Sequence, residues 1–187
     1  MKKYLGVVLI LFLTGSAVAA EYWHLGVGVK GTGVIPGGDY ENTIGFGVLA
    51  SLGNPDSRFT TQLEVDKWES VYDNASGFEN RYSGFGAGFF EKIRYWTPSP
   101  SFSSYLIGGL GGYFLDLKSE ENVENVGVEL RSIYLNSLFM TAGGLGFDYK
   151  MGPHIVTFME GRYVYFPNGE DEDKPLTQGY LGLRYQF

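Results

Sequence analysis

From Glu21 to the C-terminus, apolar residues recur with a period of two, and that alternation limits the fold more than any other feature of the chain. In the last segment Leu181, Leu183, Tyr185 and Phe187 alternate with Tyr180, Gly182, Arg184 and Gln186. The first segment sets Trp23, Leu25, Val27 and Val29 against His24, Gly26, Gly28 and Lys30. Successive side chains of a strand point to opposite faces, so each segment has one greasy face and one small or polar face. A strand with lipid on one side and a polar interior on the other reads this way.

Six further segments fit between these two. Residues 43–52 place Ile44, Phe46, Val48 and Ala50 on one face, and 59–68 set Phe59, Thr61, Leu63 and Val65 against Thr60, Gln62, Glu64 and Asp66. Residues 81–96 direct Phe85, Ala87, Phe89, Ile93 and Tyr95 outward and Gly84, Gly86, Gly88, Lys92 and Arg94 inward. Glu91 falls on the outward face there, which suggests a bulge or a shifted register. Segment 103–117 is so rich in glycine that either face could be the outer one. Residues 128–150 end with Phe139, Thr141, Leu145, Phe147 and Tyr149 outward. Residues 155–166 put Ile155, Met159, Tyr163 and Tyr165 outward and Glu160 and Arg162 inward.

The connections alternate in length. Short turns are expected at 53–56, 97–100 and 151–154, and longer polar loops at 31–42, 69–80, 118–127 and 167–175. Eight antiparallel strands then bring both ends to one side, with short turns there and long loops opposite. In hydrocarbon an open sheet edge would leave a row of unpaired amides and carbonyls, so the sheet must close. The expected fold is an all-β, eight-stranded antiparallel up-and-down transmembrane barrel, its narrow interior filled by side chains. The 28 glycines suit crowded, curved strands, and 17% aromatic content suits girdles at two membrane interfaces.

Residues 1–20 read as a signal peptide. Lys2 and Lys3 precede an apolar stretch over 4–13, and Ala17, Val18, Ala19 and Ala20 offer a small-residue cleavage site. That stretch is about half the ~20 residues a membrane helix needs. The expected domains are therefore a signal peptide, 1–20, and a barrel, 21–187.

The absence of cysteine excludes disulfides and thiolate chemistry, and a net charge of −7 argues against a nucleic-acid partner. The signal peptide, the glycine–aromatic strands and the terminal Leu181-x-Leu183-x-Tyr185-Gln186-Phe187 together resemble the small outer-membrane β-barrel superfamily of OmpX-like, OmpA-barrel-like and opacity-type surface proteins. The resemblance is one of pattern across the mature chain. It implies a monomer in the bacterial outer membrane, in contact with membrane lipid and lipopolysaccharide, whose C-terminal Phe187 is read by the barrel-insertion machinery. A soluble exported barrel of lipocalin type is the alternative fold.

Possible chemistry is sparse. Inward charges should pair across neighbouring strands, Glu64 with Lys92 or Arg94, and Glu160 and Arg162 beside Arg184. A lipid-modifying barrel enzyme would resemble a serine hydrolase with its histidine near the outer rim. His24 and His154 both fall at the opposite end, without a His-x-Ser arrangement. The acidic runs at 170–173 and at Glu120, Glu121, Glu124 and Glu129 could hold divalent cations bridging to lipopolysaccharide, yet neither matches a calcium-loop pattern. Gly108-Gly109-Leu110-Gly111-Gly112 lacks the Lys-Ser/Thr of a phosphate loop, and Asn74-Ala75-Ser76 matches a glycosylation acceptor only by chance. No catalytic, cofactor or metal residue is assigned. The expected role is non-enzymatic: membrane integrity, or display of external loops with adhesion. A lipid-modifying enzyme and a narrow pore or hydrophobic-ligand conduit are the alternatives. If residues 1–20 are removed on export, the intact mass of protein isolated from membranes should correspond to a chain starting at Ala20 or Glu21.

Overall fold

A computed structural model describes residues 24–36, 41–53, 58–73, 79–123, 127–167 and 175–187. They form eight strands: β1 (Leu25–Ile35), β2 (Thr43–Leu52), β3 (Phe59–Asp73), β4 (Glu79–Ser99), β5 (Phe102–Val123), β6 (Gly127–Lys150), β7 (Ile155–Tyr165) and β8 (Leu176–Gln186). Each pairs antiparallel with the next and β8 pairs with β1, so the sheet closes. Among the described residues no helix is long and apolar enough to cross a membrane. Residues 1–20, expected to be a signal peptide, lie outside the described part.

The registers set the dimensions. Following ladder partners around the wall leads from Leu25 through Leu52, Thr61, Glu91, Gly108, Gly143, Tyr163 and Thr177 to Ile35, ten residues further along β1. A stagger of that size over eight strands tilts them about 41° from the axis and leaves a backbone radius of roughly 8 Å. All nine residues of that circuit face outward, and it climbs roughly 25 Å, the height of an outer-membrane apolar band. Ile44, Phe46, Val29 and Leu181 on this face are all more than 60% exposed, the reverse of a soluble barrel. Phe59, Tyr95, Trp96, Phe102, Tyr149, Tyr185 and Phe187 ring the lower edge. Ile35, Ile44, Phe85, Phe114, Phe139 and Tyr165 ring the upper.

Above the upper ring the wall is uneven. The ladders β3–β4, β4–β5 and β5–β6 continue to Asp73↔Glu79, Asn80↔Ser119 and Val123↔Gly127. The neighbouring β2–β3 and β6–β7 ladders stop at Gly45↔Trp68 and Thr141↔Tyr165. Much of the expected loops at 69–80 and 118–127 is therefore strand. With water on both faces the ladder needs no apolar alternation, so the periodicity faded before the strands ended. At the lower end the turn expected at 97–100 is displaced to Pro100 and Ser101. The β4–β5 register shifts between Arg94 and Trp96 and between Trp96 and Ser99 instead of near Glu91. Pro98 has no N–H to give the ladder, which accounts for irregularity there.

The glycines divide by face. A Cβ at inward Gly144 would meet the Gly161 carbonyl and lie 2.9 Å from Arg162 Cα, whereas one at outward Gly161 would meet nothing within 4 Å. Gly144→Ala should cost about 1–3 kcal/mol. Gly161→Ala should stay within about 0.5 kcal/mol of the parent in urea unfolding from lipid vesicles.

Candidate functional site

Within so narrow a wall, inward side chains reach the axis and meet opposite strands. Glu64 on β3 accepts two hydrogen bonds from Arg162 on β7, at 2.6 and 2.7 Å, and pairs with Lys30 on β1. Arg162 also pairs with Glu160, and Lys92 on β4 meets Glu160 at 2.6 Å. Lys92 stands 3.9 Å from Asp148, which accepts from Arg184 at 2.8 Å. Four cations, Lys30, Lys92, Arg162 and Arg184, thus balance the carboxylates Glu64, Asp66, Asp148 and Glu160, all buried.

The pairing differs from the expectation. Glu64 meets neither Lys92 nor Arg94, and Glu160 is bridged across the lumen to Lys92. Partner choice is set by the lumen's width rather than by strand adjacency. Arg94 is only half-buried and stands nearer the lower rim.

Tyrosines extend the network. Tyr105 donates to Glu160 at 2.7 Å and accepts from Lys92 at 3.1 Å. Tyr113 donates to Asp66 at 3.2 Å while accepting from Trp68 at 2.6 Å and Gln178 at 3.0 Å. Aromatic faces lie against the cations, with Lys30 4.0 Å from the Tyr180 centroid and Arg162 4.4 Å from that of Phe90. By the same registers the ions occupy the middle and lower lumen. Val34, Trp68, Tyr113, Leu115, Phe166 and Leu176 close it above. This is a plug.

Tyr105, Tyr113, Asp148 and Gln178 were not identified from the sequence. Both faces of β5 carry apolar residues, so its inward set, Tyr105, Ile107, Tyr113 and Leu115, was legible only as an alternation of uncertain sense. Gly109 and Gly111 lie inside β5, where a Cβ at Gly111 would stand 2.6 Å from Gly88 Cα and 2.7 Å from Met140 Cε. They make room for neighbours, and no helix follows them.

Glu91 does face outward. The ladder runs through it without a break, from Thr61 to Gly108, and Thr61 donates to its carboxylate at 2.8 Å. Both histidines sit at the lower end. His24 Nδ1 is 2.9 Å from the Phe187 carbonyl, and His154 Nδ1 is 2.9 Å from that of Gln186. Each Nδ1 is engaged with backbone at the seam where the barrel closes. Among the described residues no group of three or more His, Asp or Glu is placed to hold a metal. Residues 170–173 and the side chains of Glu120, Glu121, Glu124 and Glu129 lie outside the described part, as does Asn74-Ala75-Ser76.

Removing one partner of a buried pair leaves the other charge uncompensated, so Arg162→Ala should lower unfolding free energy by about 3–5 kcal/mol. With the lumen plugged, the purified protein should give no conductance steps in planar bilayers.

No family model matches the chain, and no curated protein matches it. Solved structures do. Ail, the attachment invasion locus protein of Yersinia pestis, seen in complex with the heparin analogue sucrose octasulfate, is 16% identical over 88% of this chain and 97% of its own, with a TM-score of 0.57. Neisserial surface protein A is 15% identical over 88% and 97%, at 0.52. A major outer membrane protein from Thermus thermophilus is 10% identical over 89% and 100%, at 0.63. The shared fold is the closed eight-stranded barrel of small outer-membrane proteins.

Proposed function

We propose that the chain is a non-enzymatic protein of the bacterial outer membrane that displays a strand edge outside the cell. The observation that carries this reading is the sheet raised above the apolar band. From Phe139 at the upper ring, β6 continues to Gly127, which at the barrel's tilt is a rise of roughly 30 Å. Among the described residues no strand pairs with the β7-facing edge of residues 127–140. Such an edge offers N–H and C=O groups in ladder geometry, the way a sheet captures an extended segment of a partner. The plugged barrel beneath supplies rigidity, not passage.

Charge narrows the partner. Residues 118–131 carry Glu120, Glu121, Glu124 and Glu129 against Lys118 and Arg131. Ail is seen with a sulfated sugar, but a net-acidic hairpin repels sulfate. An extended, neutral or basic protein segment fits this hairpin better. Adhesion by strand pairing is therefore the reading we favour, with the protein a monomer and its C-terminal Phe187 serving insertion.

The orientation is testable because the chain has no cysteine. On intact cells a membrane-impermeant maleimide should label Asn122→Cys, while Gly152→Cys should react only after the envelope is opened. Labelling of Gly152→Cys alone on intact cells would reject the display.

A further inference from the structure

We propose that a trough on the outer wall of β2–β5 seats one phosphorylated lipid of the external leaflet, namely the lipid A part of lipopolysaccharide. This rests on the outer-membrane reading above and deepens it to a site. Ladder partners Val48, Val65, Ala87 and Gly112 form a row of small residues across four strands. The row beneath contains Leu63, Phe89 and Leu110, and the row above contains Phe46, Lys67, Phe85 and Phe114. The small row and the row beneath it together line a depression of about 650 Å³, where Val48, Ala50, Leu63, Val65, Ala87, Phe89 and Leu110 present almost wholly apolar surface.

The row above the trough has a cation where its neighbours have rings. Lys67 stands between Phe46 and Phe85, exposed, in a row that joins the upper ring at Phe85 and Phe114. Among the described residues no carboxylate pairs with it. Glu69, next above on the same face, is engaged with Arg81 at 3.3 Å. Lys67 can lay its methylenes along the wall and lift its ammonium to the phosphate level. Glu91, one row below the trough's lower wall, is buried and accepts from Thr61, so it offers a lipid no exposed charge. A cation above and apolar side chains below orient an anionic lipid with its phosphate upward and its chain in the trough.

The test uses the full barrel in nanodiscs of phosphatidylcholine with either lipid A, lipid A stripped of phosphate, or phosphatidylglycerol, read by native mass spectrometry of retained lipid. The parent should keep one lipid A. Lys67→Gln should retain about fivefold less, the worth of one interfacial cation, and dephosphorylated lipid A should be held equally weakly by both. Ala87→Phe, which fills the trough from outside the barrel, should abolish retention while heat-modifiable gel mobility stays that of a folded barrel. Retention unchanged in Ala87→Phe or in Lys67→Gln would overturn the site, as would phosphatidylglycerol held as tightly as lipid A. Failure of the parent to enter nanodiscs would instead overturn the membrane reading.

Discussion

Backbone hydrogen bonding in a medium without water is the constraint from which the other features follow. Every N–H and C=O within the apolar band must find a partner in the wall, so β8 has to meet β1. Closing eight strands at a ten-residue stagger leaves a lumen just wide enough for side chains. From that point the interior is a packing problem. Gly144 and Gly111 are glycines because a neighbouring strand's backbone occupies the space where a Cβ would go. Glu64 and Arg162 meet because the barrel is narrow enough for opposite strands to touch.

The buried charges then pose a question of sign. Isolated ions in this lumen would carry a desolvation cost of several kcal/mol each, and pairing only partly offsets it. The arrangement resolves this by balance: each carboxylate of the network touches a cation or a phenol, and each cation lies against an aromatic ring or a carboxylate. Tyr105 and Tyr113 matter because a phenol can donate to a carboxylate and accept from a cation or an indole at once. That dual role lets one phenol link a carboxylate to a second polar group.

The barrel itself was legible in the sequence, and for β2 even the boundaries were, because outside lipid and inside polarity impose a period of two that nothing else in the chain obscures. Legibility failed where one of those two media was missing. Above the band both faces meet water, so the ends of β3 and β5 and the start of β4 read as loop. On β5 both faces carry apolar residues, so the inward Tyr105 and Tyr113 could not be told from the outward Leu106 and Phe114. Across the lumen no sequence signal exists at all. The Glu64–Arg162 contact depends on the stagger, which is a sum over seven turns, and the two residues lie on strands that never share a hairpin. Glu91 is the instructive case: read as a fault in register, it is an outward carboxylate in an unbroken ladder, tolerated because Thr61 donates to it and Gly108 beside it is small.

The outer wall and the raised sheet draw on the same stagger. Because ladder rows climb at the strands' own tilt, a row of small residues such as Val48, Val65, Ala87 and Gly112 cuts diagonally through the apolar band instead of circling it. A diagonal trough connects the headgroup level to the hydrocarbon, which a level one could not do. The same climb means that strands of unequal length end at unequal heights, so lengthening β3 to β6 alone builds a sheet on one side of the rim. Lys67 lies on β3, which carries part of the trough and is the first strand of that sheet. A lipid phosphate held there would stand at the foot of the sheet, where it can brace the projecting strands against the membrane surface.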